Sequence, residues 1–230
     1  MAFSNEWDSL YQRGEQNSVW PWSDLVSYVM RYSCPPVGEE PFRVLELGCG
    51  AGANIPFFIS LGVEYFGIEG SSAVVDRLQK RYPAMQDRII TGDFTLEIPF
   101  DGEFDLIVDR SSLTHNTTAD IVHCLGVIHN KLKLGGIFIG IDWFSTRHPD
   151  YLNGIETEDI FTRSSYRHGR FADVGQVHFS DEPHLLDLFQ RFEFLTLEHK
   201  IVRRHIPIEN WSAASWNLAV RKTDGAKICT

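Results

Sequence analysis

The residue types best able to do chemistry crowd into Val44-Leu-Glu-Leu-Gly-Cys-Gly-Ala-Gly-Ala-Asn54. There an apolar run stops in a glycine-rich turn, with Glu46 two residues before Gly48 and small residues at Cys49, Gly50 and Gly52 ahead of Asn54. Small residues where a buried strand gives way to a helix let a ligand lie against bare backbone, and N–H groups at the helix start bind negative charge. The neighbouring acid suits a ligand that also carries positive charge. Glu69 ends a second apolar run, 21 residues beyond Gly48, and is followed by Gly70 and Ser71. A carboxylate there can accept hydrogen bonds from both hydroxyls of a ribose. Gly92-Asp93-Phe94 offers an acceptor for an adenine amino group and a ring to stack on. Past a fourth apolar run come Asp109, Arg110 and Ser111, then His115, whose imidazole titrates near neutrality and can take a proton.

The elements that must position these residues alternate, as βα units require. Strands are expected at Phe42–Leu47, Glu64–Glu69, Arg88–Gly92, Phe104–Val108 and Ile137–Phe144. Helices are expected at Ala51–Ser60, at Ser72–Arg81 with Ser71 as its cap, and at Thr117–Leu132, where Ile121, Leu125, Ile128 and Leu132 keep helical spacing. Residues 145–179 show little periodicity and read as a long loop. A short helix opens at Ser180-Asp-Glu-Pro and runs through Phe192. Glu193–Arg204 and Ala213–Lys222 then read as two long strands, the second alternating like a half-exposed antiparallel strand. Residues 1–41 look helical, with Tyr28, Val29 and Tyr32 on one stripe. Spacing alone supports a doubly wound α/β fold.

The segment 44–54, together with Phe104-Asp-Leu-Ile-Val-Asp-Arg-Ser-Ser-Leu-Thr-His-Asn116, closely resembles the first and fourth motifs of class I S-adenosylmethionine (SAM)-dependent methyltransferases. SAM carries a carboxylate, an ammonium and a sulfonium, so it meets the mixed-charge requirement of the first turn. The resemblance implies a Rossmann-like, seven-stranded, mostly parallel sheet with helices on both faces and a terminal antiparallel pair. It implies SAM as cofactor and S-adenosylhomocysteine as product. It also assigns Glu46, Gly48, Cys49, Gly50, Gly52, Asn54, Glu69, Gly70, Ser71, Gly92, Asp93 and Phe94 to cofactor binding, with Asp109, Arg110 and Ser111 near the methionine moiety. Many relatives have small or neutral residues where this chain has Asp109-Arg110, and an ion pair between the two is the structural alternative. Trp7-x-x-x-Tyr11-x-x-Gly14, Trp20-Pro-Trp22 and Leu113-Thr-His115 are similar to small-molecule methyltransferases of bacterial surface-polysaccharide and secondary-metabolite pathways. In those enzymes N-terminal helices fold over the cofactor, which makes Tyr11, Trp20 and Trp22 candidates for a lid.

A dinucleotide-binding unit is the competing reading. Its G-x-G-x-x-G fingerprint is not met, because Ala53 stands at the third glycine position, and a pyrophosphate gains nothing from Glu46. Glu69 fits both ligands. Methyl transfer to a hydroxyl calls for a proton acceptor near the methyl group, and His115 is the best-placed candidate. Capping of the helix at Thr117 is its alternative role, and His178, His205 and Asp142 are reserves. Arg163, Arg167 and Arg170, with Phe161, Tyr166 and Phe171 among them, could recognise an anionic or sugar acceptor.

With 230 residues, 43% hydrophobic and 23% charged, the chain has material for one large domain with a full core. One methyltransferase domain over 1–230 is expected: an N-terminal lid at 1–41, a SAM-binding core at 42–144, an acceptor-side loop at 145–179, and a terminal helix and strand pair at 180–222. Its formal charge of -10 repels phosphate backbones and anionic lipid heads, which argues against a nucleic-acid or membrane partner. No segment approaches the roughly 18 apolar residues of a membrane span. Cys34, Cys49, Cys124 and Cys229 are scattered without a C-x-x-C pair, so a reducing cytoplasm is expected and a metal site is not. A small molecule is the expected partner. Oligomeric state is left open, a homodimer included.

Overall fold

The computed structural model describes residues 7, 11, 13, 18–35, 41–207 and 212–224; Gly14 and Cys229 lie outside them. Seven strands form one sheet. Parallel strands β1 (Arg43–Leu47), β2 (Glu64–Glu69), β3 (Ile89–Thr91), β4 (Phe104–Arg110) and β5 (Leu132–Phe144) are joined by β9 (Phe192–Arg203) and β10 (Ser212–Lys222). Their order is β3-β2-β1-β4-β5-β10-β9, with β10 antiparallel to both neighbours. Winding proceeds outward in both directions from β1 and β4. Such a switch point leaves a crevice beyond the carboxyl ends of the strands, where ligands bind in open α/β sheets.

Side-chain alternation explains why both faces are covered. Leu45, Leu47, Phe66, Ile68 and Ile107 face helices α4 (Thr118–Lys131) and α5 (Glu182–Leu188) through Ile121, Leu125, Ile128 and Leu185. Val44, Tyr65, Leu106 and Val108 face α1 (Ser23–Tyr28), α2 (Ile55–Ser60) and α3 (Ser72–Arg81) through Leu25, Phe58, Val74 and Leu78. The Ser71 cap is as expected, and Thr117 caps its helix where the sequence suggests its first residue. Ser71 Oγ accepts from Val74 N–H at 3.4 Å, and Thr117 makes a reciprocal capping box with Asp120.

Three expectations change. Helix α2 begins at Ile55, not Ala51, because the glycine turn continues through Gly52 (φ +79°) and Pro56 then starts the helix. Strand β10 is buried on both faces, since Trp216, Leu218 and Val220 join one core and Ala219 the other. Residues 145–179 are not an open loop. They form a small sheet of β6 (Ile155–Glu156), β7 (Thr162–Ser164) and β8 (Val177–His178) over Phe144, Tyr166, Phe171, Val174 and Phe179. Strands of two or three residues give no readable period, and these aromatic residues pack only once the chain has folded back on itself. Among the described residues no helix is long and apolar enough to cross a membrane.

Candidate active site

A cleft of about 1260 Å³, counting its solvent-open mouth, lies over the carboxyl ends of the central strands. At its β2–β3 end, Glu69 Oε2 accepts from Gly50 N–H at 2.8 Å and Oε1 from Ser71 N–H at 3.0 Å. The carboxylate thereby ties the glycine turn to the start of α3, and a carboxylate has about four acceptor positions in all. Asp93 Oδ1 accepts from Thr95 N–H at 3.0 Å, and Phe94 lines the cleft beside it. Gly48 sits at φ +62°, and a Cβ there would overlap Ser112. One at Gly50 would stand 3.1 Å from the Tyr11 hydroxyl. Bare backbone is what the turn presents, so these residues fit an adenosyl ligand with charged ends.

Glu46 lies on the cleft floor, 3% exposed. Asn54 Nδ2 donates to Oε1 and the Tyr65 hydroxyl to Oε2, each at 2.7 Å. Burial pushes its pKa up to about 7 despite these donors. Gly67 stands opposite Glu46 across β1 and β2, and a Cβ there would come within 3.1 Å of the Tyr65 hydroxyl and Cys49 Sγ. The missing side chain is what lets the tyrosine reach the acid. Asp109 repeats the device. It is fully buried with a pKa pushed up to about 7 by burial, and it accepts from Trp143 Nε1 at 2.7 Å and from Ser112 and Leu113 N–H at 3.0 Å. Gly140, its partner across β4 and β5, makes room for the indole, since a Cβ there would lie 2.9 Å from Trp143 Nε1.

Asp109 therefore does not pair with Arg110. Successive strand residues point to opposite faces, and Arg110 Nη2 instead donates to Asp142 Oδ2 at 3.0 Å. Ser111 (φ +59°), just past β4, and Asp142 (φ +56°), two residues before the end of β5, hold left-handed backbone and are joined by Ser111 Oγ donating to the Asp142 carbonyl at 2.9 Å. Such conformations cost about 1–3 kcal/mol each and cluster at functional sites. Asp142 also takes Lys200 Nζ at 2.9 Å. Burial opposes ionisation of Asp142, but Arg110 and Lys200 outweigh it and hold its pKa below the usual carboxylate range. A doubly paired carboxylate is a poor proton acceptor, which removes it from the reserve list.

The N-terminal segment reaches the same cleft. The Arg110 guanidinium lies 3.5 Å from the Trp22 ring centroid, and Trp22 N–H donates to Asn54 Oδ1 at 3.1 Å. Tyr11 and Trp7 also line the cleft. Trp20 does not; it is 78% exposed, because the turn before α1 points it outward. Three other expected residues sit behind the cleft wall. Gly52 packs against α3 at Leu78, Ser71 caps that helix, and Asp109 underlies the β4 turn.

His115 does line the cleft, in a single 3₁₀ turn with Leu113 and Thr114. Its ring meets Trp7 edge-on at 4.8 Å and Phe144 at 6.0 Å. Its Nδ1 lies 3.1 Å from the Gln176 carbonyl, which can only accept, so Nδ1 carries the proton and Nε2 the lone pair. Burial pushes its pKa down to about 4. Thr117, not His115, caps α4. His178 is wholly buried against Thr162 and His184, and His205 stands exposed between β9 and β10. Neither lines the cleft. Of Arg163, Arg167 and Arg170, only Arg170 lines it. Arg163 is buried and bonds the Tyr151, Ile160 and Thr162 carbonyls, and Arg167, exposed like Arg170, lies outside the cleft. Among the described residues, no cluster of three or more His, Cys, Asp or Glu side chains is placed to hold a metal ion.

Residues 44–136, which supply the glycine turn and the carboxyl ends of β1 to β4, match the family described as a methyltransferase domain. Residues 44–136 thus resemble a methyltransferase domain, and the chain shares its fold with solved SAM-dependent methyltransferases. An uncharacterized methyltransferase of Synechocystis sp. is 31% identical over 101 residues, which is 44% of this chain and 46% of that protein, less than half its length. A SAM-dependent methyltransferase from Methanosarcina mazei has the same fold, with a TM-score of 0.66, 17% identity, and coverage of 90% of this chain and 100% of that one. So does 1,6-didemethyltoxoflavin-N1-methyltransferase from Burkholderia thailandensis, with a TM-score of 0.65, 18% identity, and coverage of 95% and 86%. The matched segment thus places Glu46, Glu69 and Asp93 at successive strand ends of one crevice. Asn54 and Ser112 line the crevice beside them, while Tyr65 and Trp143 support Glu46 and Asp109 from the core behind it. Only the glycines inside β2 and β5 hinted at the tyrosine and the indole, because a glycine in a strand often marks a close approach.

Proposed function

We propose that this protein transfers a methyl group from SAM to a small-molecule acceptor, at a hydroxyl of a sugar or related metabolite. One observation carries the reading: a single cleft has acids suited to a nucleoside over β2 and β3, and an uncharged imidazole between aromatic rings past β4. SAM, when bound, supplies a methyl group on a positively charged sulfur, ready for in-line displacement. Glu69, Gly70, Asp93 and Phe94 would hold the nucleoside, and Glu46 with the Gly48–Gly50 backbone would hold the methionine end. Cys49 is small enough to leave that backbone open. Tyr11 and Trp22 close the cleft from the N-terminal side, aligning the reactants and excluding water. Trp7 and Phe144 fix the plane of His115 and the Gln176 carbonyl fixes its tautomer, so Nε2 accepts a hydrogen bond from an acceptor hydroxyl.

A nitrogen acceptor is favoured by one property of the site. An imidazole with a pKa of about 4 is a weak base, and an amine or ring nitrogen brings its own lone pair. The Burkholderia neighbour is by name an N1-methyltransferase. Free Cys34, Cys49 and Cys124 accord with a reducing, cytoplasmic setting. Calorimetry with SAM and S-adenosylhomocysteine, followed by mass spectrometry for a gain of one CH₂ across hydroxyl and amine acceptors, tests the reading. Binding with turnover is expected. Binding without turnover on any acceptor would favour a non-catalytic SAM-binding subunit, and preference for NADH would overturn the reading altogether.

A further inference from the structure

Two guanidinium groups face the acceptor end of the cleft, and their charges are unequally matched. Arg110 has Asp142 on Nη2 and the Trp22 ring over its face, yet its Nε is buried with no hydrogen-bond partner. A buried N–H left unpaired is costly enough that its partner must be sought in a ligand or water. Arg170 has no carboxylate within 4.0 Å among the described residues. Its guanidinium carbon lies 5.4 Å from the Phe144 ring and 5.6 Å from the Phe171 ring. The acid nearest in sequence, Asp173, is turned toward Arg13 at 3.9 Å. In a chain of net charge -10, a cation left open in the main cleft stands against the surface trend.

On the methyltransferase reading, we infer that the acceptor carries an oxyanion, a carboxylate or a phosphate, seated between Arg110 and Arg170. Guanidinium forks match both groups bidentately. Trp7, Phe144 and Phe171 wall the same end of the cleft and would cover the body of the acceptor. The position separates this anion from the nucleoside end, where Glu69 and Asp93 would repel it. Electrostatics agree. The Arg170 charge lowers the proton affinity of His115 and of Arg110, so an anion docked there relieves both groups and makes His115 more basic. The same contact would therefore select the acceptor and improve the proton acceptor beside it.

The test uses the full chain saturated with S-adenosylhomocysteine and titrated with benzoate, phenyl phosphate and neutral benzamide. At least one of the two anions is expected to bind tenfold or more tightly than benzamide; the better of the two identifies the oxyanion. Arg170→Gln should weaken that anion at least tenfold, Arg170→Lys should retain part of the affinity, and exposed Arg167→Gln should change nothing. NMR of the His115 ring should show its pKa rising when the anion binds to the wild type and not to Arg170→Gln. Anions binding no better than benzamide would overturn the inference, as would an Arg170→Gln protein that binds them unchanged. Tenfold weaker S-adenosylhomocysteine binding in that variant, with the anion unaffected, would assign Arg170 to the cofactor carboxylate instead. Failure of the wild type to bind S-adenosylhomocysteine would defeat the methyltransferase reading, while titrating the anions into the free protein would still decide this one.

Discussion

Glu46→Gln should make the free protein more stable at alkaline pH while weakening its ligand binding. Glu46 is buried between Asn54 and Tyr65, and burial moves its pKa from 4.5 to about 7. The folded state therefore binds more protons than the unfolded state between those values, and stability falls as pH rises through that window. At 1.36 kcal/mol per tenfold change in proton affinity, the penalty above pH 7 is about 3 kcal/mol. Glutamine removes the charge and keeps the shape, and the Tyr65 hydroxyl can accept from the new amide as readily as it donated. Near pH 5 the two proteins should melt together. At pH 8.5 the variant should melt higher by roughly 6–12 °C, since 1 kcal/mol moves the melting point of a chain this size by about 2–4 °C. Asp109, raised in the same direction by burial, titrates in both proteins and largely cancels in the difference. Thermal melts by circular dichroism from pH 5 to 9 read this directly. A difference that does not vary with pH, or that grows toward acid, would refute the reasoning. The same variant should bind S-adenosylhomocysteine at least tenfold more weakly if, as proposed, the acid faces the positive end of the ligand.

Gly48→Ala should lose about 1–2 kcal/mol from its left-handed backbone alone, plus the overlap with Ser112, and should abolish S-adenosylhomocysteine binding; urea unfolding and calorimetry check the two parts. Trp143→Phe removes a buried donor to Asp109 and should cost about 1.5–3 kcal/mol in chemical denaturation, more at pH 8 than at pH 5 because the indole favours the ionised carboxylate. Asp159→Ala should speed hydrogen exchange in 145–179 and leave the seven-stranded sheet protected, since Asp159 takes Thr118 N–H, Phe161 N–H and Thr162 Oγ1 and so pins the small sheet to α4. Burial opposes ionisation there, but these donors hold its pKa at about 2, so its contribution is present above the unfolded value near 4 and is lost as pH falls toward 2. His115→Ala should cut turnover at least tenfold and leave S-adenosylhomocysteine affinity within twofold; equal losses in both would remove it from the proton-acceptor role.

The chain's one-dimensional spacing was enough for the βα order, the glycine turn, Ser71 as a cap, and the acids Glu69 and Asp93 at strand ends. These depend on local geometry: a strand has period 2, a helix 3.6, and a turn needs small residues where its backbone is left-handed. Only the tertiary structure decided what each group can do. Glu46 and Asp109 read as ordinary acids until packing buries them and lifts their pKa values to about 7. Arg110 found Asp142, 32 residues away, in place of its neighbour Asp109, because adjacent strand residues face opposite sides of the sheet. Arg163, Arg167 and Arg170 look equivalent along the chain, yet the first is consumed internally, and of the two exposed ones only Arg170 lines the cleft. Burial and pairing are set by residues distant in sequence, so the chemistry of a charged group is a property of the folded neighbourhood and not of the motif that contains it.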